Sequence, residues 1–308
     1  MALLTDCLHW ESSSFCDLPA VARLEHGIWG DGRSTVKGNS NPNYTWKTFE
    51  DLLKKQGYET IKAVDYSAEN ANSFDDPAIQ EKLETSIKEA LGTIDSQNFA
   101  GQKVDIVAHS MGGLVVRSFC EKEKDFCKES IRKLITIDTP HQGSELADLL
   151  LIFDKQPKKF SPGPCSDGFY IFINGIKLLG KVIFSPHPID SGGVAALAVG
   201  KVPAGLEKGA TAPPVGKWNG LSWPDPPTIT RSVVGNASEY QNDIKKLWDQ
   251  ALTKCGFTRG SVFSAEGDDG IVGVPSQMGG LNGQVFNEDH FSVLESEEVV
   301  KEVWKLLE

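Results

Sequence analysis

The stretch VDIVAHSMGGLVV, residues 104–116, decides how this chain is read. Val104–Val107 is a short, mostly apolar run of strand length, and a helical run begins at Gly112. Between them stands Ala108-His109-Ser110-Met111-Gly112-Gly113. A serine on a sharp strand-to-helix turn has its hydroxyl lifted above the sheet, as a nucleophile must be. So tight a turn needs small residues two before and two after the serine, and Ala108 and Gly112 meet that demand. The helix N-terminus beneath Ser110 favours negative charge on the reacting oxygen. Alone, the pentapeptide reads as a tight turn among small residues. With the strand before and the helix after, Ser110 is a candidate nucleophile.

Outward from this turn, short apolar runs alternate with helical patterns. Ala20–Leu24, Thr60–Val64, Lys133–Ile137 and Thr228–Val234 read as strands, and Ser261–Ser264 as the last strand of the sheet. Trp46, Phe49, Leu52 and Leu53 repeat at helix spacing and stop at Gly57. Asp76-Pro77 caps a helix whose stripe is Ile79, Leu83, Ile87, Ala90 and Ile94. Ile244, Leu247, Trp248 and Leu252 mark another. Ser296 caps a terminal helix with Val300, Val303, Trp304 and Leu307 on its buried face. This β-α-β-α order predicts one α/β domain over residues 1–308, with a mostly parallel central sheet flanked by helices. From about 150 to 227 the rhythm breaks into a Gly- and Pro-rich segment holding the apolar run Phe169–Ile173. A long irregular stretch of this kind is read as a cap or lid inserted between strands. An extra helical hairpin at one edge of the core is the plainer alternative.

Composition narrows the partners. The chain has 308 residues, 40% hydrophobic and 24% charged, with a formal charge of −11. Such acidity repels phosphate backbones and argues against nucleic acid as a partner. The most apolar stretch, Phe169–Phe184, is broken by Asn174, Lys177 and Lys181 and is short for a membrane span. The expectation is therefore no transmembrane segment, with transient lipid contact through the cap. The first residues lack the basic start and long apolar run of a signal peptide, which leaves secreted and cytoplasmic locations both open. Six cysteines stand without a CxxC pair, so zinc is not suggested, and disulfides remain open in 15 connectivities. Asn43-Tyr-Thr45 and Asn236-Ala-Ser238 match the glycosylation acceptor pattern. There is no GxGxxG or Walker pattern, so no nucleotide cofactor is expected.

The stretch around Ser110 resembles the α/β-hydrolase lipases and esterases, in particular bacterial triacylglycerol lipases and the lecithin-cholesterol acyltransferase and GPI inositol-deacylase branch. Three further segments follow that pattern in the same order. His26-Gly27-Ile28-Trp29-Gly30 resembles the loop that supplies one oxyanion donor. The resemblance places that donor on the backbone N–H of Ile28, with the second on Met111, directly after the nucleophile. Glu25 departs from the apolar residue usual before the HG pair. Gly267-Asp268-Asp269-Gly270-Ile271-Val272 carries the acid, and the register of an aspartate before Gly and two aliphatics selects Asp269, with Asp268 the neighbouring alternative. Asp289-His290-Phe291-Ser292 carries the base, His290.

Ser, Asp, His is the chain order such a triad follows in this fold. The imidazole takes the serine proton, and the carboxylate fixes its tautomer. Some bacterial lipases hold calcium through an aspartate two residues after the histidine. Ser292 stands there, so no metal is expected. His109 reads as pinned into the turn, and Thr139-Pro140-His141-Gln142-Gly143-Ser144 as a structural pocket floor. The expected activity is hydrolysis of carboxylic esters, the apolar cap favouring lipid acyl groups. An acyl-thioesterase or acyltransferase with the same triad, an inositol deacylase, and a catalytically dead binding module are the rivals.

Overall fold

The computed structural model describes residues 22–25, 35–36, 39–40, 45–56, 61–69, 71–96, 103–155, 192–202, 212–224, 229–237, 243–255, 258, 260, 262–263 and 266–308. Its strands are β1 (Ala22–Glu25), β2 (Thr35–Val36), β3 (Asn39–Ser40), β4 (Ile61–Ala63), β5 (Val104–His109), β6 (Ile131–Ile137), β7 (Ile229–Gly235) and β8 (Gly283–Phe286). Its helices are α1 (Lys47–Lys55), α2 (Pro77–Ser96), α3 (Met111–Lys122), α4 (Lys124–Ser130), α5 (Glu145–Lys155), α6 (Gly192–Ala196), α7 (Asp243–Cys255), α8 (Val274–Met278) and α9 (Glu297–Leu307).

Six strands form one sheet in the order β4-β1-β5-β6-β7-β8, and every neighbouring pair runs parallel. β2 and β3 make a separate antiparallel pair. The chain steps outward from β1 to β4, then returns past β1 to lay down β5. The winding therefore reverses between β1 and β5, and in open parallel sheets ligands bind outside the carboxyl ends of the strands at such a switch. Ser110 directly follows β5.

The sheet is buried on both faces, as a parallel sheet must be. Val104, Ile106 and Ala108 of β5 face a cluster built from α2 (Ile79, Leu83, Ile87), α3 (Leu114, Val115) and α5 (Leu146, Leu150). Val107 points the other way, to Phe49 and Leu53 of α1 and Val299, Val303 and Leu307 of α9. Ten consecutive residues of α3, Met111–Cys120, are buried, so this helix is a core element rather than an amphipathic surface one. Its far end is tied to α4 by a Cys120–Cys127 disulfide with Cα atoms 5.4 Å apart. At the opposite end of the sheet, Arg132 pairs with fully buried Asp105 through two guanidinium nitrogens and also donates to the Leu307 carbonyl, anchoring α9.

Two expectations are corrected here. The last described strand is β8, which lies beyond the expected Ser261–Ser264; of that stretch Val262 and Phe263 are described, and they are buried but lie in a turn. α5 continues to Lys155 with Leu150, Leu151 and Ile152 in the core, so the domain proper runs past residue 150. The apolar run 169–184 lies outside the described residues. What is described of the 150–227 segment is fastened to the domain. Ala198 bridges to Ser144, the Asp148 carboxylate accepts the N–H groups of Gly200 and Lys201, and Trp218 Nε1 donates to the Ala198 carbonyl. Among the described residues, no helix is long and apolar enough to cross a membrane.

Candidate active site

Ser110 sits at φ 56°, ψ −132°, a strained conformation for a residue with a Cβ. The strain follows from the turn that ends β5 and starts α3 within one residue. Neighbours hold it there. The Ser110 N–H donates to the Ile137 carbonyl of β6, and the Gly113 N–H to the Ser110 carbonyl. A Cβ on Gly113 would come within 2.3 Å of Thr139 Oγ1, so glycine lets α3 approach the segment after β6 this closely.

The three side chains named from the sequence meet. Ser110 Oγ lies 2.9 Å from His290 Nε2, and His290 Nδ1 lies 2.6 Å from Asp269 Oδ2. In the tautomer this geometry requires, Nδ1–H donates to Asp269 and Nε2 accepts the serine hydroxyl. Asp269 Oδ1 accepts the N–H groups of Ile271 and Val272, a local turn that fixes the carboxylate without a basic side chain. Of the two neighbouring aspartates, Asp268 turns away and caps the Gly270 N–H. Ser110, Asp269 and His290 are 5%, 0% and 3% exposed, so the hydrogen-bonded chain is shielded from water.

The loop carrying His290 is held from several sides. The His290 N–H donates to the Asp269 carbonyl. Asp289 Oδ1 accepts the N–H groups of Phe291 and Ser292, and Ser292 Oγ donates to Glu288. Ser292, at the place where some lipases carry a calcium ligand, thus serves the loop itself. His109 does more than pack in the turn: its Nε2–H donates to the His290 carbonyl at 2.8 Å, and the two rings lie 4.7 Å apart. The motif held the signal, since the residue before the nucleophile points to the opposite face of β5 from Ala108.

His141 is neutral and structural. Burial, then the nearby Arg117 charge, holds its pKa well below the usual histidine range. Its Nδ1 accepts from Arg117 Nη1, and its Nε2–H donates to Thr136 Oγ1. Arg117 also donates to the carbonyls of His141, Leu221 and Ser222 and stacks 4.0 Å over the Trp223 ring. Burial lowers the pKa of this guanidinium to about 10, and it remains cationic at neutral pH.

Met111 opens α3, where its N–H has no partner within the helix. Ile28, the other oxyanion residue named from the sequence, lies outside the described residues. One buried group was not singled out from the sequence. Asp138, directly after β6, has φ 51° and is fully buried, with Oδ2 4.0 Å from His290 Nδ1. His109, Asp138 and His290 bring ligand-type atoms within 4.8 Å of one another. Both His290 ring nitrogens are already engaged by Ser110 and Asp269, and His109 Nε2 by a carbonyl, which leaves Asp138 Oδ2 the buried oxygen of the cluster without a donor among the described residues.

Comparison with known proteins agrees with this architecture. Residues 62–160 match the PGAP1-like alpha/beta domain family. Over 106 residues the chain is 31% identical to phospholipase A(1) LCAT3 of Arabidopsis thaliana, a match covering 33% of this chain and 22% of that protein. Among solved structures, the mature Bacillus licheniformis lipase BlEst2 superposes with a TM-score of 0.55 at 16% identity, covering 94% of this chain and 92% of that one. The Staphylococcus hyicus lipase gives 0.53 at 15% identity, covering 94% of each. The chain has the α/β-hydrolase fold in the form seen in bacterial lipases.

Proposed function

We propose that this protein is a serine hydrolase that cleaves carboxylic esters, with lipid esters (acylglycerols or other long-chain acyl esters) as its substrate class. The observation that carries the reading is the buried, unbroken run of hydrogen bonds from Ser110 Oγ through His290 to Asp269 at the carboxyl end of a parallel sheet.

His290 Nε2 takes the Ser110 proton as Oγ attacks the ester carbonyl carbon. The imidazolium so formed is stabilised by Asp269 through Nδ1–H. The carbonyl oxygen, now negative, is received by the Met111 N–H and, by resemblance, the Ile28 N–H; one such donor is worth about a hundred- to a thousand-fold in rate. Collapse expels the alcohol, protonated by His290, and leaves an acyl-enzyme on Ser110. Water, activated by the same imidazole, then releases the acid. The lipid preference draws on the apolar run 169–184 in the sequence, on the fold shared with bacterial lipases, and on the phospholipase name of the Arabidopsis relative. An acyltransferase or thioesterase forms the same acyl-enzyme and differs only in acceptor or leaving group.

The test is a series of p-nitrophenyl esters from acetate to palmitate on wild type and Ser110→Ala. We expect turnover rising with chain length in wild type and a fall of about 10⁴- to 10⁶-fold in the variant. Equal turnover in both proteins overturns the proposal. Faster consumption of a thioester, or faster transfer to an added alcohol than to water, assigns the chemistry to the sister reactions.

A further inference from the structure

Asp138 is a second carboxyl group at the back of His290, and no step above uses it. Its Oδ1 accepts the Gly235 N–H at 2.5 Å. Its Oδ2 is buried, receives no donor from the described residues, and lies 4.0 Å from His290 Nδ1, the atom that Asp269 Oδ2 meets at 2.6 Å; the two carboxyl groups are within hydrogen-bonding reach of each other. The place is built for it. A Cβ on Gly235 would come within 2.7 Å of Oδ2, and the Asp138 backbone occupies the left-handed region to bring the side chain inward.

Two carboxylates buried against each other cannot both be ionised. One proton is shared between them, and their hydrogen bonds decide where it sits. Asp269 receives three donors: the Ile271 and Val272 N–H groups and His290 Nδ1–H. Asp138 receives one, from Gly235. The negative charge is better held on Asp269, so the proton belongs to Asp138. Resting on the triad reading above, we propose that Asp138 is a positioning residue whose Oδ2–H donates to the Asp269 carboxylate and holds it against His290. The protonation agrees: burial, then the Asp269 charge, pushes the Asp138 carboxyl well above the usual carboxylate range, against the pull of the Gly235 N–H. The ionisable groups facing it among the described residues are Asp269, Asp289, His290 and His109, a ring nitrogen of the last lying within 4.8 Å of the Asp138 carboxylate.

A neutral Asp138 leaves the buried pair with one negative charge, enough to balance the imidazolium formed when His290 takes the Ser110 proton. It also gives Asp269 a fourth donor, so the carboxylate keeps its orientation as charge develops. No atoms are exchanged; the proton stays on Asp138 throughout.

Infrared difference spectroscopy on the whole protein tests the protonation without relying on activity. We expect a protonated carboxyl stretch at neutral pH that is present in wild type and Ser110→Ala and absent in Asp138→Asn. Asn supplies the same donor from Nδ2 and tolerates the left-handed backbone. Its turnover should stay within about ten-fold of wild type, whereas Asp138→Ala, which supplies no donor, should lose about ten- to a hundred-fold in kcat with KM little changed. A stretch that persists in Asp138→Asn, or equal kcat losses in the Asn and Ala variants, overturns the proposal. Should Asp138→Ala not fold, as circular dichroism would report, the infrared result on Asp138→Asn decides. A wild type without Ser110-dependent turnover breaks the triad reading instead, and the infrared band still answers for Asp138.

Discussion

The corner where β5 and β6 end and the clasp that fastens residues 192–202 and 212–224 both bury charge, and they satisfy it in opposite ways. At the corner, the Asp269 and Asp289 carboxylates are met by backbone a few residues along the chain: Asp269 by Ile271 and Val272, Asp289 by Phe291 and Ser292. At the clasp, side chains of the core reach backbone far away in sequence. Arg117 of α3 serves the carbonyls of Leu221 and Ser222, and Asp148 of α5 serves Gly200 and Lys201. The corner is a set of local turns placed side by side by the sheet. The clasp is a set of long-range ties that exists only once the chain has folded. Damage at the corner should therefore cost activity with little stability, and damage at the clasp stability first.

The largest expected effect sharpens the corner. Asp269→Asn should lower kcat by about 10⁴-fold, since the amide stabilises the wrong imidazole tautomer. Asp268→Asn, which alters the carboxylate that caps the Gly270 N–H, should cost less than about ten-fold. Ester turnover of the two variants side by side checks this, and equal losses would break the local assignment.

Next comes the clasp. Arg117→Met keeps most of the side-chain volume but removes the guanidinium, leaving buried carbonyls at His141, Leu221 and Ser222 without this donor. We expect a loss of about 2–4 kcal/mol in urea unfolding, with the remaining folded protein keeping its ester specificity. A variant as stable as wild type would mean the two regions are not distinguished as described.

The smallest effect concerns Asp148, whose pKa burial raises to about 6 despite the N–H groups it accepts. An acid whose pKa is higher in the folded than in the unfolded chain binds its proton more tightly when folded. Its contribution to stability is greatest below about pH 4 and is lost as pH rises through 6. Asp148→Asn should flatten the pH dependence of Tm between those values. An unchanged slope would remove Asp148 as its source.

This contrast also explains what could be read from residues alone. Ser110, Asp269 and His290 each sit in a short string whose turn chemistry is local, so a resemblance to known strings pointed to them, with its register and not chain order preferring Asp269 over Asp268. The core strands β5 and β6 are mostly apolar and were equally plain, Asp105 and Arg132 within them pairing with each other. β8 was missed because Gly283-Gln284-Val285-Phe286 is an edge strand with only Phe286 buried, and its pattern lacks a second apolar anchor. Val262 and Phe263 offered a stronger apolar signal nearby and turned out to be core residues in a turn. Arg117 gave no hint of its partners, which lie more than a hundred residues away apart from His141. Asp138 was hidden for the same reason: its value depends on Gly235 and Asp269 arriving beside it, which the sheet order alone arranges.

Ser110 and Asp138 are the non-glycine residues with positive φ among those described, and they end adjacent parallel strands. Glycine at either place would relax the backbone, yet it would also take away the hydroxyl that meets His290 or the carboxylate that receives the Gly235 N–H. At both strand ends, backbone tension and side-chain chemistry are therefore carried by one residue and cannot be separated by a single substitution.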